Sequence, residues 1–265
     1  MIDIIRNPAA RRSAIQKKLL LDGSVSVEFL SQALGVSVAT IRRDLTSLEN
    51  DGAVQRTHGG ATVSSPRGAV QAFALREQID SREKRQIAHA ACDLVVPDQT
   101  LFMNDGSTVL ALAQVLVAAD FSLTVATTGL NTATSLSENH RIDTYLTGGL
   151  VRHKTLGTTG DFVEKMLSQI NADMAFIAAE GFSVSEGLTF SYEADANIAR
   201  IMKEKARKTI VLLTSRKLGK SDRMTAFSAS GIDVLITDCE DESLIGPFKN
   251  IGISVIVASK ENHDV

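Results

Sequence analysis

Seven short apolar runs, each separated from the next by a stretch with helical spacing, restrict the fold of this chain more than any other feature. They are Thr100 to Met103, Leu123 to Thr127, Ile142 to Leu146, Asp173 to Ala178, Thr209 to Leu213, Val234 to Thr237 and Ile253 to Val257. Runs rich in β-branched residues, with helices between them, predict a mostly parallel sheet covered by helices on both faces. In such α/β folds ligands bind beyond the carboxyl ends of the strands. The residues just after each run are therefore the ones to read.

Four of those turns are polar. The first run leads into Asn104-Asp105-Gly106-Ser107-Thr108 and then a helix, a place where unpaired N–H groups and the helix dipole favour an anion such as phosphate. The second leads into Thr127-Thr128-Gly129-Leu130-Asn131, and the third into Thr147-Gly148-Gly149 followed by Arg152, His153 and Lys154. The fifth leads into Thr214-Ser215-Arg216-Lys217-Leu218-Gly219-Lys220. A single glycine-rich turn is usually no more than a turn. Four at one sheet edge predict a pocket for a small, phosphorylated, hydroxyl-rich ligand.

The first 63 residues follow a different pattern. Ile15, Leu19 and Leu20 share one face of a first helix that Asp22-Gly23 ends, and Phe29, Leu30, Ala33 and Leu34 are predicted to face inward from a second. Gly35 and Val36 form a tight turn. Ser37 then caps a third helix, SVATIRRDLTSL, whose apolar stripe is Ile41, Leu45 and Leu48. Thr40, Arg42, Arg43 and Thr46 lie mainly off that stripe, in the manner of a helix-turn-helix presenting side chains to the DNA major groove over about residues 25–44. Two short strand-like pieces around Gly59-Gly60 predict a β-hairpin wing with Arg56 and His58 at its tip.

The string VSVATIRRDLTSLENDGAVQRTHGGA resembles the N-terminal signature of the DeoR family of bacterial transcription regulators. That resemblance implies a winged helix-turn-helix over residues 1–63, touching DNA through Ser37, Val38, Ala39, Thr40, Arg42, Arg43, Arg56, His58 and Gly59. It also implies a linker over 64–80 and a Rossmann-like sensor domain over 81–265, similar in fold to ribose-5-phosphate isomerase and glucosamine-6-phosphate deaminase. In that family a D-x-G-S/T-T turn, a Thr-Asn turn, a Gly-Gly turn and a late D-x-S-K-F-G loop surround a sugar-phosphate effector. Here Asp105, Gly106, Ser107 and Thr108 match the first, and Gly148 and Gly149 the third. The second reads Thr127-Thr128, with Gly129 and Asn131 beyond it, and the late loop has Thr214 for its Asp but keeps Lys217. The family's Glu-Ala-x-x-Lys helix start appears as Asp195-Ala196-Asn197-Ile198-Ala199, without the lysine. Arg152, Asp195 and Lys217 complete the expected effector site.

Composition excludes several other classes. With 44% hydrophobic and 22% charged residues, the 265-residue chain has ordinary globular composition, and no apolar run approaches the roughly 20 residues that cross a bilayer. The start MIDIIRNPAARR lacks a signal-peptide core, so a cytoplasmic location is expected. Cys92 and Cys239 and the five scattered histidines form no metal motif, and no cofactor is implied. Net charge is −3, yet residues 1–63 hold eight Lys/Arg against six Asp/Glu, so a weakly basic head is joined to an acidic body. Such a head needs a homodimer or homotetramer for useful affinity. The expected function is a repressor of a carbohydrate operon, bound to operator DNA and released by a phosphorylated sugar. The rival reading is a sugar-phosphate isomerase or deaminase with an accessory head, using Asp105, Asp195 or Glu193 as general base.

Overall fold

The computed structural model describes residues 7–22, 24–51, 54–57, 59–63, 73–152 and 155–258. Two compact units meet in sequence between Ile79 and Asp80.

In the first unit, α1 (Pro8–Asp22), β1 (Ser24–Ser26), α2 (Val27–Leu34) and α3 (Val38–Asn50) precede a hairpin of β2 (Val54–Thr57) and β3 (Gly60–Val63). β3 pairs with β2 on one side and β1 on the other, all antiparallel. The Ser26 hydroxyl caps α2 by accepting from the Phe29 N–H, and the Ser37 hydroxyl caps α3 by accepting from the Thr40 N–H. Between them Gly35 takes φ 65°, a left-handed conformation that glycine reaches without a Cβ penalty, so the chain reverses within one residue. Ile15, Leu19, Leu30, Ile41, Leu45 and Val54 close the core. Each buried side chain contributes about 1.5–3 kcal/mol relative to exposure.

Two predicted core positions are corrected. Phe29 is 45% exposed and Ala33 lies at the surface, because α2 turns Val27, Leu30 and Leu34 inward and positions 29 and 33 fall off that stripe. The Phe29 ring instead carries the Lys18 ammonium 4.7 Å from its centroid. Of the span expected as a linker, residues 64–72 lie outside the described set, and 73–78 are helical with Phe73 buried.

The second unit contains all seven predicted strands in one parallel sheet. After α4 (Ser81–Cys92) come β4 (Thr100–Met103), α5 (Ser107–Leu116), β5 (Leu123–Thr127), α6 (Leu130–Leu136) and β6 (Ile142–Leu146). A hairpin of β7 (Leu150–Arg152) and β8 (Gly157–Thr159) and then α7 (Asp161–Ser168) lead to β9 (Ala172–Ile177). The chain continues through β10 (Gly181–Ser183), β11 (Gly187–Phe190), α8 (Glu193–Lys205), β12 (Ala206–Leu212), β13 (Met224–Phe227), β14 (Val234–Thr237), α9 (Glu242–Asn250) and β15 (Ser254–Val257). Sheet order is β15-β14-β12-β9-β4-β5-β6. From β4 the chain steps one way along the sheet, and from β9 it steps the other. Right-handed crossovers in opposite directions put helices on opposite faces. They also open a crevice between the carboxyl ends of β4 and β9, the topological switch point where ligands of such folds bind. The β7/β8 hairpin and the small β10-β11-β13 sheet have no counterpart among the predicted strands.

Candidate functional site

On the head, α3 presents Arg42 and Arg43 on its exposed side, with Ser37 and Ala39 also exposed and Val38 and Thr40 half-buried at its start. The buried side holds Ile41, Leu45 and Leu48, and also Asp44, only 4% exposed. Asp44 receives the Arg11 guanidinium in a forked contact, Nε to Oδ2 at 2.5 Å and Nη2 to Oδ1 at 3.2 Å, which fixes α3 against α1. Sequence reading missed this pair, because the two residues stand 33 positions apart and nothing local links them. Arg56 is in strand β2 rather than at the wing tip. Its Nη1 donates to the Thr46 hydroxyl and its backbone N–H to Glu49, so it ties the wing to α3. Gly59 is the exposed turn residue, and His58 lies outside the described residues.

At the switch point, Asn104 joins the ends of β4 and β9. Its side-chain amide donates to the Ala178 carbonyl at 2.8 Å and accepts from the Ala178 N–H at 2.9 Å. Gly106 starts α5 against Ala178, and no side chain caps that helix, which leaves its first N–H groups without a side-chain acceptor; Ser107 is half-buried and Thr108 buried on the first turn. Lys217 reaches the same place and donates to the Ala179 carbonyl.

Beside this cationic corner lies an acidic one. Thr128 donates its hydroxyl to Asp105 at 3.2 Å. The β7/β8 hairpin folds over the turn after β5 through bonds from the Thr158 N–H to the Thr128 carbonyl and from the Leu130 N–H to the Leu156 carbonyl. That fold-back lays Gly157 on the Asp105 side chain, so closely that a Cβ at 157 would overlap the carboxylate. Arg152, opposite Gly157 in the hairpin, sends Nη1 to Asp195 at 2.7 Å and lies 4.2 Å over the Tyr192 ring. Burial pushes the Asp105 carboxyl above the usual carboxylate range, against opposing contributions from Thr155, Arg152 and Thr128. Burial, then the Asp105 charge, push Asp195 up to about 7, Arg152 opposing and Glu180 adding to the rise.

The other predicted residues surround this centre rather than join it. The Thr127 hydroxyl accepts from the Gly129 N–H and shapes the turn, and Gly129 backs onto the Asp105 Cα. Asn131 is half-buried on the first turn of α6. Gly148 is exposed, and Gly149 packs against the Thr159 carbonyl and Val163. His153 and Lys154 lie outside the described residues. Glu180, Gly157 and Tyr192 were absent from the predicted site. Glu180 stands two residues past the fourth run with no turn signal before it, and Gly157 and Tyr192 gave no signal either.

The Asp195 shift has a stability consequence. A carboxyl whose folded value lies above its unfolded value of 3.8 holds a proton longer in the folded state, so its stabilising effect is complete at low pH and is lost as pH rises toward 7. The α/β unit is expected to melt several degrees higher at pH 6 than at pH 8 in a calorimetric scan. Asp195→Asn is expected to flatten that slope, and an unchanged slope counts against the assignment.

A winged reader and an α/β unit with a crevice at its switch point together define a two-unit, DNA-binding transcription regulator. The comparisons name the family: residues 11–67 match the DeoR-like helix-turn-helix domain and residues 79–239 the DeoR C terminal sensor domain. The chain is 35% identical to the HTH-type transcriptional regulator GolR of Listeria innocua over 253 residues, covering 95% of this chain and 99% of that one. It is 33% identical to the HTH-type transcriptional regulator GlpR of Haloferax volcanii, covering 87% and 90%. It is also 33% identical to the HTH-type transcriptional repressor GlcR of Bacillus subtilis, covering 86% and 87%. The protein belongs to the DeoR family of transcriptional regulators. Among solved structures, eIF2B beta from Chaetomium thermophilum aligns at a TM-score of 0.46 with 14% identity, over 93% of this chain and 69% of that one. Ribose 5-phosphate isomerase A from Methanocaldococcus jannaschii aligns at 0.39 with 15% identity, over 52% and 54%. Among the described residues no helix is long and apolar enough to cross a membrane.

Proposed function

We propose that this regulator represses a carbohydrate uptake or catabolic operon and lets go when a phosphorylated sugar occupies the switch-point crevice. The observation carrying this reading is the mixed lining of that crevice: an uncapped helix start and Lys217 suit a phosphate, and Asp105, directly before that helix, with Asp195 and Arg152 suits sugar hydroxyls. On the head, Arg42 and Arg43 read guanine edges or clamp phosphates from the exposed side of α3. Arg56, His58 and Gly59 approach the adjacent backbone from the wing, and Ser37 to Thr40 meet it at the helix start. The protein acts as a homodimer or homotetramer, so that two α3 helices enter successive major grooves.

A thermal-shift screen of phosphorylated sugars tests the sensing half, since a ligand of the folded state raises the melting temperature by mass action. At least one sugar phosphate is expected to raise it, and a panel without effect removes the reading. Ser107→Glu puts a carboxylate where the phosphate would meet the α5 N–H groups. That variant is expected to bind operator normally and to ignore inducer in a reporter assay; ordinary induction contradicts the placement.

A further inference from the structure

Edge strand β6, last in the sheet order, ends in apolar surface that neither a DNA groove nor a phosphorylated sugar calls for. Tyr145, Leu146, Leu150, Val151 and Phe162 are between 38% and 79% exposed, Phe162 the most and Leu150 next at 72%. Their neighbours bring them together. The Thr147 hydroxyl, directly after Leu146, lies 2.6 Å from the Thr158 hydroxyl, and Thr158 stands opposite Val151 in the β7/β8 hairpin. Leu150 stands opposite Thr159 in the same hairpin, and Gly149 packs against Val163, the residue after Phe162 on α7. The five therefore lie along one border of the α/β unit, joined by β6, the hairpin and the start of α7.

The size of this patch suits an interface. Taking about 150–250 Å² for a whole aromatic side chain and somewhat less for Leu and Val, the five expose on the order of 500 Å². On a monomer a contiguous apolar patch of that size is near the upper end of what is left uncovered, and it is often functional. A stable interface takes roughly 800 Å² from each partner, so these side chains supply more than half, and the exposed Gly148 and Gly149 add backbone area between them.

Charge identifies the occupant. Residues 145–151, YLTGGLV, hold no Asp, Glu, Lys or Arg in a chain that is 22% charged. The body around them is acidic: outside the head the chain has 20 Lys/Arg against 25 Asp/Glu, the totals of 28 and 31 less eight and six. In a two-fold contact each residue near the axis meets its own copy, so a charge there would face its like, and two acidic bodies join best through an uncharged centre. This segment is such a centre. Its border carries both signs, with Asp143 before it and Asp161 and Lys165 one turn apart on α7, so an acid of one copy has a base of the other to meet. Operator DNA and acidic proteins need cations that the segment lacks. A basic partner would be drawn to the acidic surface elsewhere rather than to a stretch without acids.

We propose that the occupant is a second copy of this chain, joined through an isologous contact in which Tyr145, Leu146, Leu150, Val151 and Phe162 meet the same surface of the partner. This inference rests on the paired-head reading above and names the surface that makes the pair.

Sedimentation velocity of the full chain and of the double variant Leu150→Asp with Phe162→Asp tests it. The parent is expected to sediment as a dimer or tetramer at micromolar concentration, with a melting temperature that rises with protein concentration. Two carboxylates in a desolvated contact are expected to weaken self-association at least about a hundredfold, taking a dimer to monomer or a tetramer to dimer with an unchanged far-UV circular dichroism spectrum. Val96→Asp, at a residue exposed in the loop before β4, is expected to leave the mass of the assembly as it is. If the double variant loses its fold, Phe162→Cys in a Cys92→Ser background decides: a short bismaleimide is expected to link two copies through position 162, and not through Val96→Cys in the same background. Unchanged self-association of the folded double variant, or no cross-link at position 162 in a dimeric parent, overturns the inference and leaves the paired-head reading to another surface. A parent that is monomeric throughout removes both.

Discussion

Replacing Arg42 and Arg43 together with alanine is expected to weaken operator binding by at least about a hundredfold while leaving the melting temperature of the head within a degree or two. Both side chains are exposed on α3, opposite Ile41, Leu45 and Leu48, so their removal opens no cavity and disturbs no buried packing. Surface changes of this kind alter stability by no more than about 0.5 kcal/mol. The effect on DNA binding is larger. One bidentate guanine contact gives about 1–3 kcal/mol of discrimination, and each phosphate that an arginine no longer neutralises keeps the counterions whose release would favour binding. Fluorescence anisotropy on a labelled operator at two salt concentrations checks this, and the double variant should show a shallower salt slope than the parent. Retained affinity with an unchanged slope would mean that α3 does not enter the groove.

Asp44 is expected to behave in the opposite way: Asp44→Ala unfolds the head. The carboxylate is buried against α1 and accepts both nitrogens of the Arg11 fork, so alanine takes the forked acceptor away from a buried guanidinium. Removing one partner of a buried ion pair costs about 3–5 kcal/mol, a large share of what a domain of this size has. Circular dichroism should show the head melting early or unfolded while the α/β unit keeps its own transition. Operator binding disappears with it, because the fold is gone and not because a DNA-touching group is missing. The paired variant Arg11→Met with Asp44→Leu removes both charges, and is expected to recover most of the stability, because apolar replacements of a buried pair are often neutral or better. A head that tolerates Asp44→Ala would show that the fork contributes little.

Arg42, Arg43 and Asp44 are consecutive in α3, and they illustrate which parts of the chain are legible without coordinates. The stripe Ile41, Leu45, Leu48 and the cap at Ser37 are local patterns and set the helix, its start and its exposed side. The burial of Asp44 depends on Arg11, 33 residues earlier, and no local pattern reports it. The same division holds in the α/β unit. Its seven sheet strands are continuous apolar runs and stand out, whereas Leu150–Arg152 and Gly157–Thr159 are three residues each and Leu150 is largely exposed, so the hairpin leaves no periodic trace. That hairpin delivers Arg152 and Gly157 to the acidic corner around Asp105. The turns after β4 and β5 were readable as a site because polar residues and glycine follow apolar strands there. Glu180 was not, because Ala178 and Ala179 precede it without a turn signal, and its meaning comes from the neighbours that the sheet order provides. Phe29 failed for a smaller reason: an aromatic residue on a short helix was assigned inward by its type, and the angular position of Val27 and Leu30 decided otherwise.

Coupling between the two units is the claim on which the biological reading depends. Its most direct test is the operator affinity of the full chain, measured by anisotropy across a titration with whichever sugar phosphate raises the melting temperature. Allosteric coupling of about 1–3 kcal/mol corresponds to roughly a 5- to 150-fold change. Operator affinity should fall within that range as the ligand saturates, with a midpoint that tracks its own binding curve. Affinity that stays constant at saturating ligand would contradict the account, because a ligand that binds the DNA-bound and free forms equally shifts nothing.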